Sequence, residues 1–281
     1  MAGQGKSDEG AGEKATDPVY CLGRLRRHDR QRYNTILFAG PPERRRLGAL
    51  YAFNLEIATI AEAVSEPLPG AVRLQWWRHA VEGLFAGQPP RQAVVGELGM
   101  AVRDCALEQE ALLAMIEARE RDLDSRPFAD VGALEDYARQ TAAPLGQLAF
   151  QCLQAGRHDD GAGAAAEAAT AYALAGVLSA MPWRAVHGLP VLAGYLTADG
   201  KGPGERSEII RQKVARRLGL GLAKARDLVP RPARRWMPVF LLAGLAQRRI
   251  KALATGQPVA PVVSSAGPLA GLAWDWLWRR Y

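Results

Sequence analysis

Residues 33–62 read YNTILFAGPPERRRLGALYAFNLEIATIAE, and this stretch decides the fold. Its Pro41-Pro42 pair predicts the end of one helix and the start of another, because proline is tolerated in the first turn of a helix. From residue 43 to residue 64, apolar side chains recur at the spacing of one helical face, and Asn54 lies on that face. We therefore expect a helix whose Asn54 amide faces the core or a cavity.

Similar apolar spacing recurs along most of the chain. Alanine and leucine dominate and runs of β-branched residues are scarce, which favours helix over sheet. The predicted helical segments are 19–38, 43–64, 70–86, 91–122 as one or two helices, 131–155 with a kink at Pro144, 164–181, 206–228 and 233–254.

Length and composition limit the number of domains. With 281 residues and 48% hydrophobic content, the chain can form one large helical domain or two smaller ones. We expect a single α-helical domain over residues 18–281, preceded by a disordered tail at residues 1–17. Apolar runs are much shorter than the roughly 20 residues that a membrane-spanning helix needs.

The chain is basic, with a formal net charge of +7 and a pI of about 9.6, mainly because of clustered arginines. A solvated basic face would explain this charge, and so would attraction to an anionic membrane surface. Nucleic-acid binding is a third reading that we do not favour, because the sequence contains neither a nucleic-acid-binding motif nor an aromatic stacking platform.

The sequence offers little sign of a soft-metal or disulfide site. The three cysteines lack C-x-x-C spacing and the four histidines are scattered, so neither a zinc site nor a disulfide framework is predicted. The adjacent acids Asp159-Asp160 lie in a glycine-rich stretch that is typical of an ordinary loop.

A second stretch, AYALAGVLSAMPWRAVHGLP at residues 171–190, joins the first in resembling the squalene/phytoene synthase family, whose members join two prenyl diphosphates. The resemblance covers most of residues 19–192. It implies an all-α, isoprenoid-synthase-type helical bundle around a central cavity.

The two aspartate clusters of active family members are largely missing. In those members a D-D-x-x-D-type cluster follows "YAF", and a second aspartate pair precedes an "LP". Here the first cluster falls on Ala58 and Thr59, with Glu62 left acidic, and the second falls on Ala180 and Arg184. Mg²⁺, which helps pyrophosphate to leave, is usually held by carboxylates. We therefore expect a pseudoenzyme without catalytic residues, metal ligands or cofactor; the alternative is a Mg²⁺-dependent prenyltransferase with an atypical site.

The segment YAFNLEIATIAEAVSEPLPGAVRLQWWRHAVE at residues 51–82 resembles one branch of the family, that of the mitochondrial complex I assembly factor and its bacterial relatives. This resemblance implies a role in assembling respiratory NADH:quinone oxidoreductase, with subunits of that complex as partners. It also implies a location in the cytoplasm or peripherally on the inner face of the membrane. A third class of function is a membrane-surface protein whose cavity is vestigial.

Several side chains are candidates for lining a cavity or retaining ligand binding. Glu62 is either a residual metal ligand or a carboxylate paired with an arginine. The arginines near Trp77 could grip a phosphate, or they could form the polar face of an amphipathic helix whose Trp77 is in the core. The tyrosines and their neighbours could line a pocket for a prenyl or lipid chain, or they could be plain core. The full set is Tyr51, Asn54, Ala58, Glu62, Arg73, Gln75, Arg78, Tyr137, Thr141, Ala180 and Arg184.

The chain ends in PLAGLAWDWLWRRY, in which Trp274, Trp276 and Trp278 alternate with other residues. On one helix these three rings would spread over a broad arc. They could contact a membrane interface, which tryptophan favours, or a partner helix. They could instead cap the helical core.

Overall fold

The computed structural model describes residues 16–154, 161–197, 204–279 without 255–266, and residue 281. Within these ranges the backbone forms helices joined by loops, together with one isolated parallel pairing between Phe128 and Leu192. The prediction of an all-α fold is therefore confirmed. Nearly all of the predicted tail and the Asp159-Asp160 pair lie outside the described residues.

Twelve α-helices and three 3₁₀ turns lie within the described residues. In chain order they are α1 (Pro18–His28), α2 (Arg30–Ile36), α3 (Pro41–Ala58), α4 (Pro67–Phe85), α5 (Ala93–Cys105), α6 (Gln109–Ala118), α7 (Val131–Gln154), α8 (Gly161–Ser179), α9 (Met181–Val186), α10 (Ser207–Leu228), α11 (Met237–Ala254) and α12 (Gly267–Trp278), with 3₁₀ turns at Ala61–Ala63, Arg119–Leu123 and Arg234–Trp236.

Two predicted segments differ from the helices observed. Segment 19–38 is broken at Asp29, whose carboxylate accepts a hydrogen bond from the backbone N–H of Arg32 and caps α2. Segment 91–122, predicted as one or two helices, forms two α-helices that divide at Ala106, which has a left-handed backbone with φ of 52°. The helix predicted to run to residue 64 ends at Ala58. Helix α7 continues through Pro144.

Helices α7 and α8 pack against each other at the centre of the bundle. Their approach depends on small residues, because a Cβ atom on Gly146 would collide with the backbone carbonyl oxygen of Ala165. Helix α3 packs against α1, α5 and α7, while α10 and α11 cover α8. The buried apolar side chains form one contiguous core from Cys21 to Tyr281.

Helix α12 divides its three tryptophans between two faces. Leu272 is buried, and the Trp276 ring lies 5.9 Å from the ring of Phe38. Trp274 is 57% exposed, and it lies 5.7 Å from the ring of Trp278, which is also exposed. One face of α12 therefore docks on the core while the other is apolar and open to solvent. Among the described residues, every helix is too short or too polar to cross a bilayer.

Candidate functional site

Side chains from α7, α9 and the 3₁₀ turn after α6 converge on Asp122, which is buried in that turn. The hydroxyl of Tyr137, on α7, lies 2.7 and 2.8 Å from the two carboxylate oxygens of Asp122. The Nη2 atom of Arg184, on α9, lies 2.9 Å from Oδ1 of the same carboxylate. Arg119 completes the cluster, donating to the Tyr137 hydroxyl over 3.1 Å.

Arg184 is held at both of its donor edges. It lies on the short helix that begins with Met181-Pro182, and its side chain is buried. Its Nε atom donates to the carbonyl oxygen of Pro190 over 2.8 Å, while its Nη2 atom binds Asp122. The planar fork of arginine suits such a two-sided contact. Arg184 thus ties the end of α8 and the "LP" segment to the turn after α6.

The charges in this cluster act on one another in a dry environment. Burial and the nearby negative charge of Asp122 raise the pKa of Tyr137 to about 12. Burial alone would lower the pKa of Arg184, but interactions with Tyr137 and Asp122 outweigh it and raise that pKa. Desolvation, followed by repulsion from Asp122, also raises the pKa of Glu62, with Arg184 opposing the rise. Glu62 therefore shares its electrostatic environment with the Asp122–Arg184 pair.

The donor set does not fit a magnesium–diphosphate centre. Mg²⁺ requires hard oxygen ligands, usually carboxylates. Ala58 and Ala180 offer none, and the Thr59 hydroxyl donates to the carbonyl oxygen of Leu55 over 2.9 Å within its own helix. Both oxygens of Asp122 are already engaged. In the part of the chain that the structure describes, no group of three or more His, Cys, Asp or Glu side chains is arranged to hold a metal ion.

Tyr51 and Asn54 lie on the inner face of α3, and both are buried. The Tyr51 hydroxyl and the Asn54 Oδ1 atom have no hydrogen-bond partner among the residues that the structure describes, although most buried polar groups are paired. The guanidinium carbon of Arg32, which is ion-paired with Asp29, lies 5.6 Å from the centre of the Tyr51 ring. The structure therefore groups Tyr51 with Arg32 on α2 rather than with the Asp122 cluster.

The remaining candidates do not join these clusters. Gln75 and Arg78 hydrogen-bond to each other, and Arg78 pairs with Glu120, all near the surface. Arg73 is exposed and lines an open pocket of about 370 Å³ together with Thr59.

Trp77 on α4 and Thr141 on α7 also lie outside both clusters. Trp77 is buried, with its ring 5.5 Å from that of Phe53. The Thr141 hydroxyl donates to the carbonyl oxygen of Tyr137 over 2.9 Å, within α7.

Sequence reasoning missed Asp122 and Arg119, the residues around which the site is built. Both lie in the segment EARERDLDSR at residues 117–126, which alternates acidic and basic residues and gives no indication of burial. The one available signal is their position in the last turn of the predicted segment 91–122, where the chain can bend and direct side chains inward.

Comparison with known proteins identifies the family to which the sequence is similar. The profile of squalene/phytoene synthases matches residues 25–258. The chain is 38% identical over 135 residues to the protein named NADH dehydrogenase (ubiquinone) complex I, assembly factor 6 of Rattus norvegicus, covering 48% of the chain and 40% of that protein. It is 35% identical over 144 residues to the protein of the same name in Homo sapiens, covering 51% and 43%. The chain thus matches less than half the length of these relatives.

Solved structures agree on the fold. A dehydrosqualene synthase superimposes with a TM-score of 0.80 at 13% identity, covering 92% of this chain and 95% of that one. A squalene synthase from Alicyclobacillus acidocaldarius superimposes with a TM-score of 0.65 at 18% identity, covering 94% and 95%. The fold is a helical bundle of the isoprenoid synthase type. Because the family profile matches most of its length, this chain belongs to the squalene/phytoene synthase family.

Proposed function

We propose that this protein is a non-catalytic member of its family that acts as an assembly or accessory factor for respiratory NADH:quinone oxidoreductase. The observation that carries the first half is the ion pair between Arg184 and Asp122. A cation from the protein itself neutralises the buried carboxylate, in a region where the active members of the family are expected to use carboxylates and Mg²⁺. The second half rests on similarity to the complex I assembly factor 6 proteins.

The assembly role is tested in the organism that encodes the protein. Deletion of the gene should lower both NADH:quinone oxidoreductase activity and the amount of assembled complex on native gels, and the intact gene should restore them. A gene carrying Asp122→Ala should restore less than the wild type, because the folded protein becomes scarcer. Normal complex levels in the deletion strain would overturn the assembly proposal.

The alternative, a Mg²⁺-dependent prenyltransferase, is tested with purified protein. We expect no pyrophosphate release above background from farnesyl or geranylgeranyl diphosphate with Mg²⁺, because the carboxylates that would hold the metal are replaced. Turnover that a chelator abolishes would instead establish the alternative.

We propose that Tyr51 and Asn54 line a buried cavity that accepts a prenyl or lipid chain with a polar end. Their unpaired oxygen atoms support this, because a ligand hydroxyl or a bound water would satisfy them. Native mass spectrometry after gentle extraction should detect a copurifying lipid. A protein that carries none, and takes up none from prenyl alcohols, would count against this cavity.

We also propose that the exposed face of α12 contacts an anionic membrane surface. Tryptophan favours the bilayer interface, and Trp274, Leu277 and Trp278 are exposed together. The exposed arginines of the turn at 231–235 lie near the end of α12, since the Nε atom of Arg279 donates to the carbonyl oxygen of Pro232 over 2.7 Å. Arginine near an anionic surface adds attraction.

Vesicle flotation tests this contact. The wild type should float with phosphatidylglycerol-containing vesicles at low salt, and Trp274→Ser/Trp278→Ser should not. The matched control is Trp76→Ser, which changes an exposed tryptophan on α4 and should float like the wild type. Equal flotation of all three proteins, or of none, would contradict the proposal.

A further inference from the structure

A groove of about 720 Å³ opens between the first turn of α7, the segment at Leu192-Ala193 and helix α10. It lies outside the Asp122 cluster. Its floor is apolar, because Val131, Leu192 and Ile210 are buried beneath it. Two large apolar side chains on α10 remain open to solvent at the groove: Ile209 is 56% exposed and Leu220 is 65% exposed.

The walls of the groove carry an excess of positive charge. Arg206, Lys213 and Arg216 are exposed and form no ion pair with the described residues. Arg217 is neutralised by Glu135. The acid in the lining, Asp130, accepts a hydrogen bond from the backbone N–H of Ala133 at the start of α7. Three cations are therefore available to a partner.

The order of these side chains along α10 defines what can fit. Ile209, Lys213, Arg216 and Leu220 are spaced by four, three and four residues, so they lie on one face of the helix. The two apolar ends are about 16 Å apart at the rise of an α-helix, with the cations between them. An occupant must therefore place negative charge at its middle and apolar groups at both ends.

We propose that this groove binds an acidic amphipathic helix of a partner protein. Such a helix lays its apolar side chains into a hydrophobic groove through anchors spaced three, four and seven residues apart. Glutamate or aspartate in its middle turn would pair with Lys213 and Arg216. This interaction goes beyond the assembly role, and it does not depend on which complex the protein serves.

Other anionic partners fit less well. The described lining of the groove contains no aromatic side chain on which a nucleic-acid base could stack. A bilayer surface would need the cations around an outward apolar face, whereas here they lie between the apolar residues of a concave groove.

The test uses a fluorescein-labelled helical peptide that has two leucines eleven residues apart and two glutamates between them. A scrambled peptide of the same composition and a peptide with lysine in place of glutamate serve as probes of specificity. Fluorescence anisotropy at low salt should show saturable binding of the first peptide only, weakening as salt is added, because charge complementarity is screened.

Variants locate the binding site. Lys213→Glu/Arg216→Glu should weaken binding by about tenfold or more and should favour the lysine peptide instead, since charge reversal exchanges attraction for repulsion. Leu220→Asp should weaken binding of the acidic peptide, because it removes an apolar contact and adds a negative charge. The matched control is Arg91→Glu/Arg103→Glu, which reverses two exposed charges outside the groove and should bind like the wild type. Thermal melts should show that all variants fold.

Several outcomes would overturn the proposal. The acidic peptide could fail to bind, or the scrambled peptide could bind as tightly as the acidic one. The groove variants could also bind the acidic peptide as tightly as the control variant does. Anionic vesicles or single-stranded DNA that compete with the peptide for the wild type but not for Lys213→Glu/Arg216→Glu would assign the groove to those ligands instead. Each readout is independent of complex I levels, so this proposal and the assembly role can fail separately.

Discussion

Arg184 and Asp122 are separated by 62 positions in the sequence, yet their side chains meet at 2.9 Å in the protein interior. Their side chains are only 9% and 5% exposed. Replacing one member of a buried ion pair leaves the other without compensation, which costs far more than the pair itself contributes.

Asp122→Ala should therefore lower the free energy of unfolding by about 3–5 kcal/mol. Asp122→Leu/Arg184→Met should recover part of that loss, because it removes both charges of the pair, while Arg119 and the Tyr137 hydroxyl still lose their contact with Asp122. Urea denaturation measures all three proteins. The matched control is Asp124→Ala, two residues away and paired with the exposed Arg126, which should change stability little. A small effect of Asp122→Ala would show that the pair is solvated.

Glu62 should make stability depend on pH. Its pKa is raised in the folded protein, so the charged form is disfavoured by folding and the cost is fully present at neutral pH. Relative to Glu62→Gln, the wild type should be less stable at pH 7. That difference should shrink as the pH falls through the raised pKa toward the ordinary glutamate value. Melting temperatures of both proteins at several pH values measure it. A wild type that is more stable than the variant at pH 7 would indicate a favourable ion pair, for example with Arg184.

Because the Tyr51 hydroxyl has no partner among the described residues, we expect its removal not to lower the free energy of unfolding. In protein freed of bound lipid, Tyr51→Phe should leave the free energy of unfolding unchanged or raise it by up to about 1 kcal/mol, because no hydrogen bond to the protein is lost. Tyr172→Phe is the control, since that hydroxyl lies 2.7 Å from Oε1 of Gln31 and its loss should cost about 1 kcal/mol. If both variants lose stability equally, a bound water or ligand pairs with Tyr51.

Gly146 and Gly219 should respond in opposite ways to the same substitution. Gly146→Ala drives a methyl group into the backbone of α8 and should cost about 1–3 kcal/mol or more. Gly219 lies within α10 with open space around it, so Gly219→Ala should stabilise by about 0.5–1 kcal/mol. Chemical denaturation compares the two. A neutral Gly146→Ala would mean that α7 and α8 can separate without cost.

The sequence was sufficient for the helices whose ends carry a local signal. The proline pair predicted the start of α3, and the apolar spacing around Asn54 predicted its burial. The break at Asp29 was not predicted, because helix capping by an aspartate competes with continuous apolar spacing on both sides. The left-handed turn at Ala106 has no local signal in its residue type.

The candidate site was only partly predictable for a different reason. The family pattern pointed to Glu62, which is the acidic residue left in the first cluster. It also pointed to Arg184, which stands where the second cluster has an aspartate. Asp122 depends on tertiary contacts alone: an aspartate in a charged segment is buried only because Tyr137 and Arg184 arrive from other helices. Tyr51 likewise lies apart from the Asp122 cluster, and its contact with Arg32 depends on the position of α2.

The backbone contact between Phe128 and the "LP" segment also bears on the order of folding. The N–H of Phe128 donates to the carbonyl oxygen of Val191 over 2.7 Å, and Ala193 returns a hydrogen bond to Phe128. These contacts, like the Asp122–Arg184 pair, close a loop that contains α7 and α8. Closing a long loop costs entropy. We therefore expect α7 and α8 to pack together first, and the contacts of Phe128 and Asp122 with the segment after α8 to form late. In stopped-flow measurements, Asp122→Ala should then mainly accelerate unfolding, while Gly146→Ala should slow refolding.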